Sequence, residues 1–201
     1  MNRYVTYRFA ATLGVLGVAL AGQGITPAEK QHALTYLEQT RDNLLAATRG
    51  LSEAQLRFKP GPDRWSVIEC VEHLALIEGM VNQNVFPKLP AAPVPAAGSE
   101  IRKLDVTVES RVADRSEKFQ APEPAVPTGR WPSSETIDRF LAGRTQTAAF
   151  LLSSPDLRGH VVPHPVLGPM DGYEWVIAVA AHTERHTKQI LEVKADPNFP
   201  K

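Results

Sequence analysis

One cysteine, Cys70, is all that the chain of 201 residues contains. No disulfide can form within it, so stability must come from packing or from a bound ion. Charge of one sign is missing too: 22 basic residues balance 22 acidic ones, with no basic tract and no interleaving of basic and aromatic residues. That excludes nucleic acid as an expected partner. No apolar run reaches the roughly 20 residues that a membrane span needs. Disorder is excluded as well, because 43% hydrophobic and 22% charged residues are the balance of a domain with a real core. No convincing strand pattern and no internal repeat occur.

The notable uncharged run stands at the start. Arg3 and Arg8 precede Phe9 to Ala21, rich in Ala, Leu, Val and Gly, and Ala19-Leu20-Ala21 offers the small-x-small pattern that a signal peptidase cuts. Residues 1–21 are therefore read as a secretory signal peptide, the alternative being an uncleaved anchor. The arginines are not adjacent, which argues against a twin-arginine signal, and no cysteine follows the cut to carry a lipid. The mature protein is expected to be exported, periplasmic or extracellular, with no membrane attachment after cleavage.

Residues 26–196 read as one domain. Thr26-Pro27-Ala28-Glu29 combines a capping box with proline at the first helical position, and Ala33, Leu37, Thr40, Leu44 and Ala47 follow as one buried stripe. Gly50 ends this helix, and Leu51 to Phe58 reads as a short turn or helix before Pro60-Gly61-Pro62. Ser66-Val67-Ile68-Glu69 opens a second helix that should run to about Val85. A long connection follows, bounded by Pro87 to Pro95 on one side and Pro122 to Pro132 on the other, with a charged, partly helical stretch from Ser99 to Phe119. Such a connection fits a bundle whose middle helices run parallel and need a crossover. Ser134 is expected to cap a third helix ending at Pro155. Gly159 to Met170 is read as loop, and Asp171-Gly172-Tyr173-Glu174 caps a fourth helix that Asp196-Pro197 terminates. The class expected is all-α, a four-helix bundle with its long crossover between the second and third long helices.

Within Ala181-His182-Thr183-Glu184-Arg185-His186, the two histidines stand four residues apart on one helical face, about 5–6 Å between Cβ atoms. Both fall on the stripe that carries Trp175, Val179 and Val193. Imidazoles facing a core need partners, and a metal satisfies one nitrogen on each. His73 occupies a similar inward position on the second helix, between Cys70 and Ile77. The alternative is that each is a core histidine bonded to backbone or carboxylate, the better reading for any one of them alone. The arrangement is not that of the zincins, which place glutamate directly after the first histidine. Here Thr183 stands there, while Glu184 should project away from the shared face, and Glu184 and Arg185 read as solvated or supporting groups.

Several pieces together resemble the DinB/YfiT-like superfamily. They are Arg64-Trp65-Ser66 leading to Glu72-His73-Leu74, then Thr128-Gly129-Arg130-Trp131, then His164-Pro165-Val166-Leu167-Gly168, and finally His182 to Ile190. Their order and spacing agree from about Thr26 to Ala195. The resemblance implies a four-helix bundle holding a divalent metal, zinc or nickel, on His73, His182 and His186. Relatives of known activity include thiol S-transferases and a maleylpyruvate isomerase.

Three protein ligands leave a coordination position for water or a small-molecule substrate, where the ion lowers the pKa of water or thiol. His164 is the candidate catalytic residue, binding substrate or moving protons at the mouth, against the reading of a solvent-exposed loop histidine. Cys70 reads as a small buried hydrophobe rather than a ligand, and Gln189 and Glu69 as groups that could orient ligand imidazoles. The function expected is a metal-dependent hydrolase or transferase. A non-catalytic metal- or ligand-binding bundle is the alternative. So is a thiol S-transferase, which export disfavours because reduced small thiols are mainly cytosolic. A homodimer through a helical face is compatible with the sequence, although no stripe demands it.

Overall fold

Each capping box anticipated from the sequence closes in the computed structural model, which describes residues 24–95 and 105–201. The expected leader, residues 1–21, and residues 99–104 of the connection lie outside them. Thr26, Ser66 and Asp171 each accept the backbone N–H three residues on, while Glu29, Glu69 and Glu174 reach back to the cap's own N–H. These caps start helix α1 (Pro27–Thr48), helix α3 (Val67–Asn84) and helix α6 (Gly172–Lys194). Ser52 and Gln55 form a fourth box on the short helix α2 (Glu53–Arg57). Helix α4 (Asp105–Ala113) lies in the long connection, flanked by 3-10 turns at Phe86–Ala91 and Glu123–Ala125, and helix α5 (Ser133–Ser153) completes the bundle.

Two expectations need correction. Ser134 does not cap α5. The helix begins at Ser133 behind Pro132 with no side-chain cap, and the Ser133 hydroxyl instead donates to Glu53 Oε2 at 2.9 Å. Nor is Gly159 to Met170 all loop: strand β1 (Val161–His164) pairs antiparallel with strand β2 (Gly168–Asp171), in register Val161 with Asp171 and His164 with Gly168. Four-residue strands containing Pro163 and Pro169 carry no alternation to read, and prolines argue against a strand. Gly168 accepts the positive φ of 81° with which the chain re-enters β2.

The direction of the long helices follows from what touches what. Glu78 meets Arg144 and Phe86 stacks on Phe150, so α3 and α5 advance together. Tyr36 meets Glu184 and Lys194 reaches the Ala47 carbonyl, so α1 and α6 also run parallel. Lys30 reaches Leu152 and Arg144 reaches Leu37, which makes α1 and α5 antiparallel. The order is up-down-down-up, and the parallel central pair is why a crossover longer than a turn joins α3 to α5.

Two apolar clusters fill the bundle. One gathers Leu37, Val81, Leu151, Val176 and Met170, the other Leu44, Val71, Phe140, Ile190 and Val193. Along each long helix the break between them falls on polar side chains: Thr40, Glu78, Arg144 with Thr147, and Thr183 with its neighbour His182. A polar layer therefore crosses the middle of the bundle, and the site sits on one side of it. Among the described residues no helix is long and apolar enough to cross a membrane.

Candidate metal centre

His73 comes from the middle of α3, and His182 and His186 from successive turns of α6. Nε2 of His182 lies 3.3 Å from Nε2 of His73 and 3.1 Å from Nε2 of His186, so the three nitrogens converge. The remaining nitrogens decide the tautomers. Nδ1 of His73 donates to the Ala125 carbonyl at 2.8 Å, and Nδ1 of His186 donates to Gln189 Oε1 at 2.9 Å. Gln189 Oε1 also accepts from Arg115 at 3.2 Å, which fixes that oxygen as the acceptor. With Nδ1 protonated, each neutral ring turns a bare lone pair on Nε2 toward the centre.

Burial, with repulsion from the neighbouring imidazoles next in size, holds His182 and His186 well below the ordinary histidine range, and burial lowers His73 as well. The cluster is neutral at pH 7, as ligands must be. Two nitrogens each about 2.0–2.1 Å from one ion stand about 2.8–3.4 Å apart for ligand angles of about 90–110°. Both separations fall in that interval. The donor set, three neutral imidazoles, suits zinc, nickel and their neighbours. His73, His182 and His186 could hold a metal ion.

Residues with no role at the site assigned from the sequence hold the rings in place. Glu72, 2% exposed, accepts the backbone N–H groups of Thr128, Gly129 and Arg130 and the Arg130 guanidinium. That fastens the end of the connection to α3, and with it the Ala125 carbonyl that orients His73. Gly129, at φ 70°, lets successive N–H groups converge on one carboxylate. The signal was visible, since glutamate directly precedes His73 and the Thr-Gly-Arg-Trp run stands apart, but nothing in spacing joins the two. Trp65 lies against the cluster, its ring 4.8 Å from His73 and 5.8 Å from His186.

Other expectations sort cleanly. Gln189 orients His186, as anticipated. Glu69 serves the cap of α3 and pairs with Lys59, and orients no imidazole. Cys70 is fully buried in the second apolar cluster, where burial pushes its thiol far up, and it behaves as a hydrophobe. Glu184 points away as expected, to the Tyr36 hydroxyl and Lys188. Arg185 is not solvated: only 9% exposed, it donates to the Glu117 carbonyl at 2.5 Å and lies over Phe119. A carboxylate trio at Asp105, Asp171 and Glu174 is also close enough to share an ion, but the Arg158 guanidinium already bonds Asp105 and Asp171 there.

The three histidines open into a cavity of about 880 Å³. Its wall is apolar along Ile77, Val81, Trp175 and Val179, and the connection and the hairpin close over it. His164 is on that wall, its ring 5.1 Å from Trp175 and its exposure reduced. Its Nδ1 accepts the N–H groups of Val166 and Leu167, at 3.1 and 3.2 Å, so its proton is on Nε2; burial lowers its pKa and keeps it neutral.

Fold and site thus define an up-down-down-up helical bundle with a histidine cluster, able to hold a metal, at the base of a cavity. The chain belongs to the DinB superfamily, whose sequence profile matches residues 36–190. It is 29% identical over 148 residues to the uncharacterised protein YuaE of Bacillus subtilis (strain 168), an alignment covering 73% of this chain and 87% of that protein. Two solved structures share the fold. YfiT from Bacillus subtilis, described as a probable metal-dependent hydrolase with an unusual four-helix bundle topology, superposes with a TM-score of 0.55 at 14% identity, covering 89% of this chain and 93% of YfiT. The four-helix bundle protein TT2238 gives 0.51 at 18% identity, covering 81% of this chain and 98% of its own.

Proposed function

We propose that this protein is an exported metal-dependent hydrolase or transferase acting on a small molecule, with zinc or nickel held by His73, His182 and His186. The observation that carries the reading is the convergence of three Nε2 atoms, two of them held as bare lone pairs because Ala125 and Gln189 take the Nδ1 protons of His73 and His186. His73 and His186 both turn unprotonated nitrogens inward, so a single proton on Nε2 of His182 could join only one of them, whereas one metal ion would satisfy all three. Export is supported by the N-terminal sequence, Arg3 and Arg8 before the uncharged run to Ala21. The description of YfiT as a probable metal-dependent hydrolase points the same way.

A divalent ion bound here supplies Lewis acidity, polarising a substrate carbonyl or lowering the pKa of water or a thiol. The chain's own groups do the rest. The wall from Ile77 to Val179 excludes water and seats an apolar substrate body. Trp65 restrains the His73 and His186 rings. His164 faces the cavity as a neutral Nε2–H donor, because two backbone N–H groups occupy its other nitrogen. Its role is therefore to donate a hydrogen bond or proton to a substrate or leaving-group oxygen. A cavity opening directly on the ligand nitrogens favours an enzyme over a closed structural site.

The test is metal content together with turnover. Mass spectrometry of the purified mature protein should find about one zinc or nickel per chain. The loaded protein should turn over an ester, amide or thiol panel, and His182→Ala should abolish both metal and activity while the helical circular dichroism survives. Full metal retention in a triple variant of His73, His182 and His186 to alanine would overturn the assignment.

A further inference from the structure

The cavity contains a buried positive charge that the protein leaves half-used. Arg185 is 9% exposed, and its side chain lines the same cavity as His182 and His186. One terminal nitrogen donates to the Glu117 carbonyl at 2.5 Å. The other, NH1, is buried and has no hydrogen-bond partner among the described residues. The neighbouring charges are committed elsewhere: Glu192 takes Nε and one terminal nitrogen of Arg115, whose remaining terminal nitrogen goes to Gln189. Asp114 accepts from the Ser116 backbone and hydroxyl. The Phe119 ring, 5.5 Å away, covers the guanidinium without supplying an acceptor. A buried cation with empty donors is costly unless something with negative oxygens arrives to meet it.

We propose that Arg185 anchors the substrate, and that the substrate is a small apolar molecule bearing one carboxylate. The carboxylate accepts from NH1 in a charge-assisted hydrogen bond. The apolar body lies along Ile77, Val81, Trp175 and Val179, and the far end is presented to the three imidazoles. Arg115 pairs with Glu192 and Asp114 bonds Ser116, so neither carboxylate occupies NH1 of Arg185, which is left for an incoming one. The inference rests on the cavity being the substrate site. It does not need the metal to be present for the anion to bind.

The experiment compares 4-phenylbutanoate with its neutral amide, titrated by calorimetry into wild-type protein and into Arg185→Gln. Each titration is run on chelator-stripped and on zinc-loaded protein. Wild type should prefer the acid in both states. Arg185→Gln should lose about 10- to 100-fold of the acid's affinity, leave the amide's affinity unchanged, and bind zinc like wild type. Arg185→Lys should recover part of the loss. Three results overturn the proposal: no preference for the acid in wild type; equal loss of acid and amide in Arg185→Gln; or a preference that appears only with zinc and survives Arg185→Gln. The wild-type comparison decides even if the variant does not fold. If no zinc binds but Arg185-dependent selectivity persists, the metal assignment fails and the anchor stands.

Discussion

Two buried polar clusters flank helix α6 at the same level, and they are opposites. On one side Arg144 spends its whole guanidinium inside the protein. It bonds both Glu78 oxygens, the Leu37 carbonyl, Thr40 and Thr183, while Glu78 also accepts from Thr147. That network ties α1, α3, α5 and α6 together with no donor left over. On the other side His73, His182 and His186 aim nitrogens at one another without enough protons to join them. A saturated cluster is architecture, since removing any member strands the others. An unsaturated one facing a cavity has lone pairs that a ligand from outside could use.

The contrast predicts unequal costs. Glu78→Ala or Arg144→Met should destabilise the metal-free protein by about 3–5 kcal/mol in urea unfolding, because each leaves a buried partner uncompensated. His182→Ala in the same metal-free protein should stay within about 1 kcal/mol of wild type, since its ring meets the cavity and other unprotonated nitrogens. Equal losses would mean that the histidines are structural after all. Zinc should then narrow the gap. At a hundred times its dissociation constant it should stabilise wild type by about 2.7 kcal/mol, and it should leave His182→Ala unmoved.

A third cluster lies between the two extremes and gives a pH signature. Glu174 is fully buried beneath the cap of α6, its Oε2 accepting from the Asp171 backbone N–H and its Oε1 without a partner among the described residues. Burial, and then the negative charge of Asp171, raise it from 4.5 to about 8. The folded state therefore keeps a proton that the unfolded chain releases from pH 4.5 upward. The stability this group lends is complete below about 4.5 and is lost as the pH climbs to about 8. Between pH 6 and pH 7.5 wild type should lose about 2 kcal/mol relative to Glu174→Gln, which carries no such proton. Parallel pH–stability curves for the two proteins would remove Glu174 from the account.

What could be read in advance follows the same division. The caps at Thr26, Ser66 and Asp171 were legible because a capping box is local, complete within four residues. The inward faces of His73, His182 and His186 were legible because helical period is local too. The hairpin was not, since Pro163 and Pro169 erase strand alternation. The saturated layer was not either: Glu78, Arg144 and Thr183 look like ordinary polar residues until three helices bring them together. Glu72 and Arg185 were missed for a related reason. Their roles depend on partners 56 or more residues away, Thr128 to Arg130 for the first and Glu117 and Phe119 for the second. Both partners lie in the connection, where sequence periodicity is weak.

The smallest expected effect isolates orientation from ligation. Gln189 touches no lone pair at the centre; it only accepts from Nδ1 of His186, and Arg115 holds it in place. In a cluster kept for structure, replacing it with leucine would cost some stability and nothing else. At a metal centre it should free the His186 ring to rotate and change tautomer, weakening zinc binding about tenfold, the low end for groups that support ligand histidines. Unfolding of the metal-free Gln189→Leu protein should move by less than about 1 kcal/mol. Gln189→Glu, which keeps an acceptor for Nδ1, should hold zinc as well as wild type. Competitive titration against a chromophoric chelator reads all three proteins on one scale. Zinc affinity in Gln189→Leu equal to wild type would show that the tautomer of His186 is not set from behind, and the distinction between the two sides of α6 would rest on geometry alone.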